Sequence, residues 1–215
     1  MTALTLFIGN KNYSSWSLRP WLALKVAGIA FEEALIPLRE PTTKQDILRH
    51  SPSGKLPALK VDDTIIWDSL AICEWVAEQA PEAGLWPADP LARATARSLS
   101  AEMHSGFVAL RQNMPMDVRE RYPGQGLTTE VQADINRITA AWRDARGRFG
   151  SEGPFLFGKF SIADAMYAPV VFRFQTYQPD LSEDAQAYIA AMVDHPAMKE
   201  WTDGAKREPW FFESK

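Results

Sequence analysis

The 215-residue sequence is 46% hydrophobic, 23% charged and 11% aromatic, the balance of a folded globular chain rather than a disordered or fibrous one. Its formal charge of −4 comes without a basic block or a Lys/Arg stripe, which argues against nucleic acid as the main partner and leaves small anions open. The longest apolar run, residues 165–172, is far below the roughly 18 residues that span a bilayer, and the first residues lack the charged leader of a signal peptide, so a cytoplasmic protein without membrane contact is expected. Cys73 is the single cysteine and permits no internal disulfide, while His50, His104 and His195 are too scattered for a metal site.

In chain order, Leu4–Ile8 reads as a strand ending at Gly9. Leu18, Trp21, Leu22, Val26 and Ile29 recur at helical spacing around the stop signal Gly28, and residues 31–36 read as a second strand, giving a right-handed parallel crossover. A polar stretch with a short helix over residues 43–48 follows. Residues 56–61 and Thr64–Trp67, separated by Asp62 and Asp63, predict an antiparallel hairpin, and a helix then starts at Ser69 with Ile72, Trp75 and Val76 on one face. The order βαβ then ββα is that of a thioredoxin-like α/β domain, assigned to residues 1–80. APEAGLWPADP, rich in Pro and Gly, predicts a linker over residues 81–90.

Residues 91–215 show helical periodicity alone. Asp89 precedes Pro90 as an N-cap before a first-turn proline, and Leu99, Met103, Phe107 and Leu110 carry one stripe. Val131, Ile135, Ile138 and Trp142 form another. Ser161 with Asp164 predicts a capping box before a third helix that Pro169 should kink, and Ala185, Tyr188, Ile189, Met192 and Val193 mark a fourth. With a last segment around Trp201, this half is an all-α C-terminal helical domain of about five helices.

Four motifs stand in a fixed order along these elements: SSWSLRPWLAL, SPSGKLPAL, DSLAICEWV and SIADAMYAPVV. In that order, with GLWPADP between the last two, the chain resembles the cytosolic glutathione transferase superfamily, serine-type, and its first motif is nearest the zeta class. The resemblance covers nearly the whole chain. It implies the two-domain glutathione transferase fold, glutathione as co-substrate, a small apolar electrophile as second substrate and a homodimer.

With Ser17 as cap of the first helix, Pro20 falls in its first turn, where its missing N–H obstructs nothing, and Ser14 and Ser15 lie in the approach loop. Their hydroxyls and the positive helix start form a place for a small anion; capping and turn formation is the plainer reading. The resemblance makes that anion the glutathione thiolate, with Ser14 ranked first as its partner, Ser15 second and Tyr13 third. It assigns the glycyl carboxylate to Lys55, the cysteinyl backbone to the Leu56 main chain beside a cis peptide at Pro57, and the γ-glutamyl ammonium and carboxylate to Asp68 and Ser69. A surface lysine, an edge-strand proline and a helix-capping Asp-Ser pair are the structural alternatives. Ser161 and Asp164 are assigned to helix capping and Cys73 to helix packing. Trp16, Met103, Phe107 and Met114 either line the electrophile pocket or pack the core, and residues 210–214 either cover that pocket or pack on the first domain.

A hydrogen bond to a charged group is worth about 1.5–3 kcal/mol, or about one to two pKa units on a bound thiol. Two units raise the thiolate of a thiol of pKa about 8.5 some 25-fold at neutral pH. Nucleophilicity falls along the same scale, leaving a net gain of about threefold, so most acceleration must come from holding the reactants together. Conjugation of glutathione to an electrophile is the first reading. A glutathione-dependent isomerase or dehalogenase is the second, and a binding or regulatory module without catalysis the third. Trp16 stands where the zeta class carries cysteine, which counts against the maleylacetoacetate isomerase reaction, and the intact serines and Asp68–Ser69 pair count against the module.

Overall fold

In the computed structural model, which describes residues 4–212, strict alternation along β1 (Leu4–Ile8) sends Leu6 and Ile8 into the main core and Phe7 into a small second cluster with Ile36, Ile47 and Ala58. The strand is central in a four-stranded sheet. It pairs in parallel with β2 (Glu32–Leu35) and antiparallel with β3 (Ala58–Val61), which in turn pairs antiparallel with β4 (Thr64–Trp67), for a spatial order β2-β1-β3-β4. The connecting helices are α1 (Ser15–Val26), α2 (Thr43–His50) and α3 (Ser69–Gln79). This is the thioredoxin-like arrangement the sequence predicts, with the second and third strands shorter than the apolar runs that announced them.

Helix α1 departs from expectation. It begins at Ser15 with Ser14 at the cap position, three residues earlier than a Ser17 cap would place it. Pro20 therefore sits inside the helix and removes the donor that the Trp16 carbonyl would otherwise receive. Ser17 is drawn into the helix because its hydroxyl serves elsewhere: it accepts the Gly9 main-chain N–H at 3.1 Å and the Ser14 hydroxyl at 2.7 Å, tying the helix start to the end of β1.

The remaining helices are α4 (Pro90–Ser105), α5 (Val108–Asn113), α6 (Thr129–Phe149), α7 (Ile162–Tyr177), α8 (Glu183–Asp194) and α9 (Pro196–Arg207), six among the described residues where about five were expected. The extra helix arises at Phe107, whose φ of +58° ends the stripe begun on α4 and starts α5 afresh. Asp89 caps α4 by accepting from Ala92 N–H, and α7 runs on through Pro169. Helix α1 packs on α3 on one side and α7 on the other, so nine of its twelve residues are buried. One continuous core accordingly runs from Leu6 and Trp21 through Met103, Trp142 and Trp201. Cys73 lies fully inside it, and burial pushes its thiol pKa up, away from reactivity. No helix among the described residues is long and apolar enough to cross a membrane.

Candidate functional site

The loop before β3, the Asp68 corner before α3, the start of α1 and the end of α4 meet around a cavity of about 570 Å³. Lys55, Leu56, Asp68 and Ser69, four residues singled out in two separate motifs, all line it, together with Trp16 and His104. The Leu56–Pro57 peptide at its wall is cis. Gly54, at φ +65°, reverses the loop so that Lys55 and Leu56 reach this wall, and the exposed Lys55 ammonium has no hydrogen-bond or ion-pair partner among the described residues.

Asp68 holds the strained corner of the site. Its backbone sits at φ +76°, a conformation that costs a non-glycine residue about 1–3 kcal/mol. Its Oδ1 accepts the Leu70 N–H at 2.9 Å and the Ala71 N–H at 3.4 Å, capping α3, and its Oδ2 lies 3.1 Å from His104 Nε2. Next to it the Ser69 hydroxyl is buried without a partner. A buried hydroxyl at a helix start beside an exposed carboxylate is suited to an amino-acid head, the carboxylate meeting an ammonium and the hydroxyl with the helix end meeting an anion.

Ser14 and Ser15 do not line this cavity, although the next residue, Trp16, does. Both are buried, but they differ in their bonding. The Ser14 hydroxyl donates to Ser17, whereas the Ser15 hydroxyl has no partner among the described residues. The first turn of α1 carries neither an acidic residue nor a side-chain cap, so its positive end is not neutralised by the chain itself. Tyr13 is committed elsewhere: its hydroxyl oxygen accepts from the Arg119 guanidinium at 3.1 Å and from the Phe212 N–H at 2.9 Å, and its ring stacks on Phe212 with centroids 4.3 Å apart.

The Trp16 indole in the cavity wall meets two guanidinium groups, Arg19 at 4.2 Å and Arg111 at 4.7 Å from the ring centroid. Arg19 is fully buried, donates from Nε to the Met166 carbonyl and leaves both terminal nitrogens unpaired. Burial, with Arg111 and Arg173 nearby, holds its pKa well below the ordinary arginine value. Sequence reasoning missed this cluster, because helical spacing marks Arg19 as one more polar residue between apolar ones.

Of the residues proposed to line an electrophile pocket, Trp16 borders the cavity at Asp68, whereas Met103, Phe107 and Met114 are buried in the core. A second cavity of about 500 Å³ is lined among others by Tyr13, the residue before the serines in the chain, and by Arg39, Gln112, Tyr122, Tyr177 and Phe212. The closing segment does border it through Phe212, whose ring also carries the Arg39 guanidinium at 4.6 Å; Glu213 and Ser214 lie outside the described residues. A groove of about 560 Å³ between α7 and α8, lined by Phe174, Ile189 and Val193, holds none of the site residues named above.

Residues 13–79 match the family model described as glutathione S-transferase, N-terminal domain, and residues 117–204 that of glutathione S-transferase, C-terminal domain. The chain is 31% identical to the maleylacetoacetate isomerase of Rattus norvegicus over 78% of its own length and 76% of that protein. It is 26% identical to a probable maleylacetoacetate isomerase of Caenorhabditis elegans, over 84% and 89% of the two chains. A glutathione transferase homolog from a Burkholderia, crystallised with bound glutathione, superposes with a TM-score of 0.73 over 96% of this chain and 100% of that one at 23% identity, a likeness of fold. With both halves matched and three of the four motifs contributing to one cavity, the chain belongs to the glutathione S-transferase superfamily.

Proposed function

We propose that this chain binds glutathione in the cavity between the Lys55–Pro57 loop and Asp68, with the sulfur at the head of α1, and uses its thiolate as a nucleophile. The observation that carries the reading is the meeting of Lys55, Leu56, Asp68 and Ser69 on one cavity, with a buried Ser69 hydroxyl left unpaired in its wall. In this reading Lys55 takes the glycyl carboxylate, the Leu56 main chain pairs with the cysteinyl backbone, and Asp68 and Ser69 grip the γ-glutamyl ammonium and carboxylate. The free Ser15 hydroxyl donates to the sulfur, helped by the uncapped end of α1, while the Ser14 hydroxyl is engaged by Ser17. That order of the serines reverses the ranking expected from the sequence, since a hydroxyl already given to a neighbour is the poorer donor.

The electrophile then enters from the cavity at Tyr13, whose mixture of aromatic rings with Arg39 and Gln112 suits a planar acceptor with polar substituents better than a purely apolar one. Conjugation consumes glutathione; the names of the Rattus and Caenorhabditis relatives favour a second reading, isomerisation, in which glutathione adds and leaves again. Trp16 in the cavity wall continues to favour conjugation. A homodimer in the cytoplasm completes the proposal.

Calorimetric titration with glutathione, followed by turnover of 1-chloro-2,4-dinitrobenzene and product analysis with maleylacetoacetate, tests it. Binding with consumption of glutathione supports the transferase, binding with an isomerised product and no consumption supports the isomerase, and no binding at millimolar ligand removes both. Ser15→Ala is expected to raise the thiol pKa of bound glutathione by about one to two units and to slow turnover near neutral pH by about threefold, with Ser14→Ala nearer to wild type. A pH titration of the thiolate absorbance in both variants measures it, and an unchanged pKa in Ser15→Ala would count against Ser15.

A further inference from the structure

His104 lies at the end of α4 in the helical half and was set aside in the sequence for want of metal-ligand spacing. Its ring is held from several directions. Nε2 is 3.1 Å from Asp68 Oδ2, the ring meets Trp16 edge-on with centroids 5.3 Å apart, and Arg111 fixes the main chain by donating to the carbonyls of Met103, His104 and Gly106. Nδ1 is buried with no partner. Asp68 is the imidazole's one polar partner among the described residues.

As a stabilising contact this arrangement makes a poor return. The two side chains are 29% and 45% exposed, and an ion pair so open to water adds little to stability. The orphaned Nδ1 and the left-handed Asp68 backbone each cost stability that such a pair does not return. Both costs converge on one carboxylate in a cavity wall, the pattern of groups set for a ligand rather than for the free protein.

We propose that His104 is a positioning residue for the γ-glutamyl end of the tripeptide, a role that rests on the glutathione reading given above. Oδ1 of Asp68 is filled by the two capping N–H groups of α3, so Oδ2 must meet the ligand's ammonium. His104 Nε2, 3.1 Å from Oδ2, braces that oxygen from the helical half and limits the carboxylate's rotation, while the cavity side of Asp68 stays open to the ligand. The helical half thereby sets the specificity of a site whose remaining ligand contacts all come from the first half. Trp16, Trp67, Arg19, Arg111 and Lys55 are the aromatic or charged groups nearest this pair, and none of the three cations forms an ion pair with Asp68 among the described residues.

The test compares two ligands, glutathione and its des-amino analogue glutaryl-cysteinyl-glycine, by calorimetry on the whole protein. In the wild type, loss of the ammonium is expected to weaken binding by about 10- to 100-fold. In His104→Ala that ratio should shrink by about five- to tenfold, glutathione losing affinity and the analogue keeping it, while His104→Gln, which retains an N–H donor, restores most of it. An unchanged ratio in His104→Ala, or an equal loss for both ligands, would overturn the role. Circular dichroism confirms that each variant is folded. Failure of the wild-type protein to bind either ligand would strike the glutathione reading itself, before any variant is made.

Discussion

Asp68→Asn is expected to weaken glutathione binding by about 10- to 100-fold while moving the melting temperature by no more than a few degrees. The carboxylate has two separable duties. Oδ1 caps α3 through Leu70 and Ala71, and an asparagine oxygen continues to accept both bonds. Oδ2 faces the cavity with His104, and the charge that would meet the ligand's ammonium is lost with the substitution. A charge-assisted hydrogen bond is worth about 1.5–3 kcal/mol, which gives the stated range. Asp68→Ala should show the same loss of affinity plus about 1 kcal/mol of stability for the missing cap, or about 2–4 °C in a domain of this size. Calorimetry and thermal melts on both variants separate the two duties. Equal affinity in Asp68→Asn and wild type would remove Asp68 from the site.

Asp164→Ala is expected to destabilise the fold by about 3–5 kcal/mol, a fall in melting temperature of about 6–20 °C. The side chain is fully buried and collects four donors: the Leu156 and Ser161 N–H groups at 3.0 and 2.8 Å and the Ser161 and Tyr188 hydroxyls at 2.8 and 3.0 Å. It is the capping box of α7 that the sequence announces, extended by a bond to α8. Alanine leaves the two main-chain donors and Tyr188 buried without an acceptor, and such orphaned groups cost more than the bonds themselves contributed. Burial raises the Asp164 pKa to about 6 against an ordinary 3.8, in spite of these donors. The folded chain thus holds this proton more tightly than the unfolded chain does. The stability linked to this proton is fully present below about pH 4 and is lost as the pH rises through about 6. Urea denaturation between pH 4 and 8 should show that slope in the wild type and its absence in Asp164→Ala.

The parts of this molecule legible in the sequence are those decided by local chemistry. The hairpin at Asp62–Asp63, the start of α3 at Ser69 and the caps at Asp89 and Ser161 each rest on neighbours within four residues, and each stands where the pattern put it. The start of α1 does not, because Ser14, Ser15 and Ser17 are equally good caps in isolation. The Gly9 N–H decides among them by engaging the Ser17 hydroxyl, a partner that appears only after β1 and α1 have packed. Helix α5 was hidden for a similar reason: the apolar stripe continues through Phe107 while the backbone reverses there.

The site shows the same division. Lys55, Leu56, Asp68 and Ser69 were recognisable from motif order and the chain brings them to one cavity, whereas His104 has no sequence neighbour that explains it and gains meaning from Asp68 across the cleft. Met103, Phe107 and Met114 looked equally fit for a pocket or a core, and all three, one on α4 and two at the ends of α5, are buried in the core. The second cavity instead draws on Arg39, Tyr122 and Phe212, residues far apart in the chain that no periodicity links.

A crystal structure of the protein with glutathione bound tests the central claim most directly. The sulfur is expected within about 3.5 Å of the Ser15 hydroxyl at the head of α1, with the γ-glutamyl ammonium on Asp68 and the carboxylate on Ser69. A sulfur lying against Tyr13 instead, or a tripeptide seated away from the Lys55–Asp68 cavity, would contradict it.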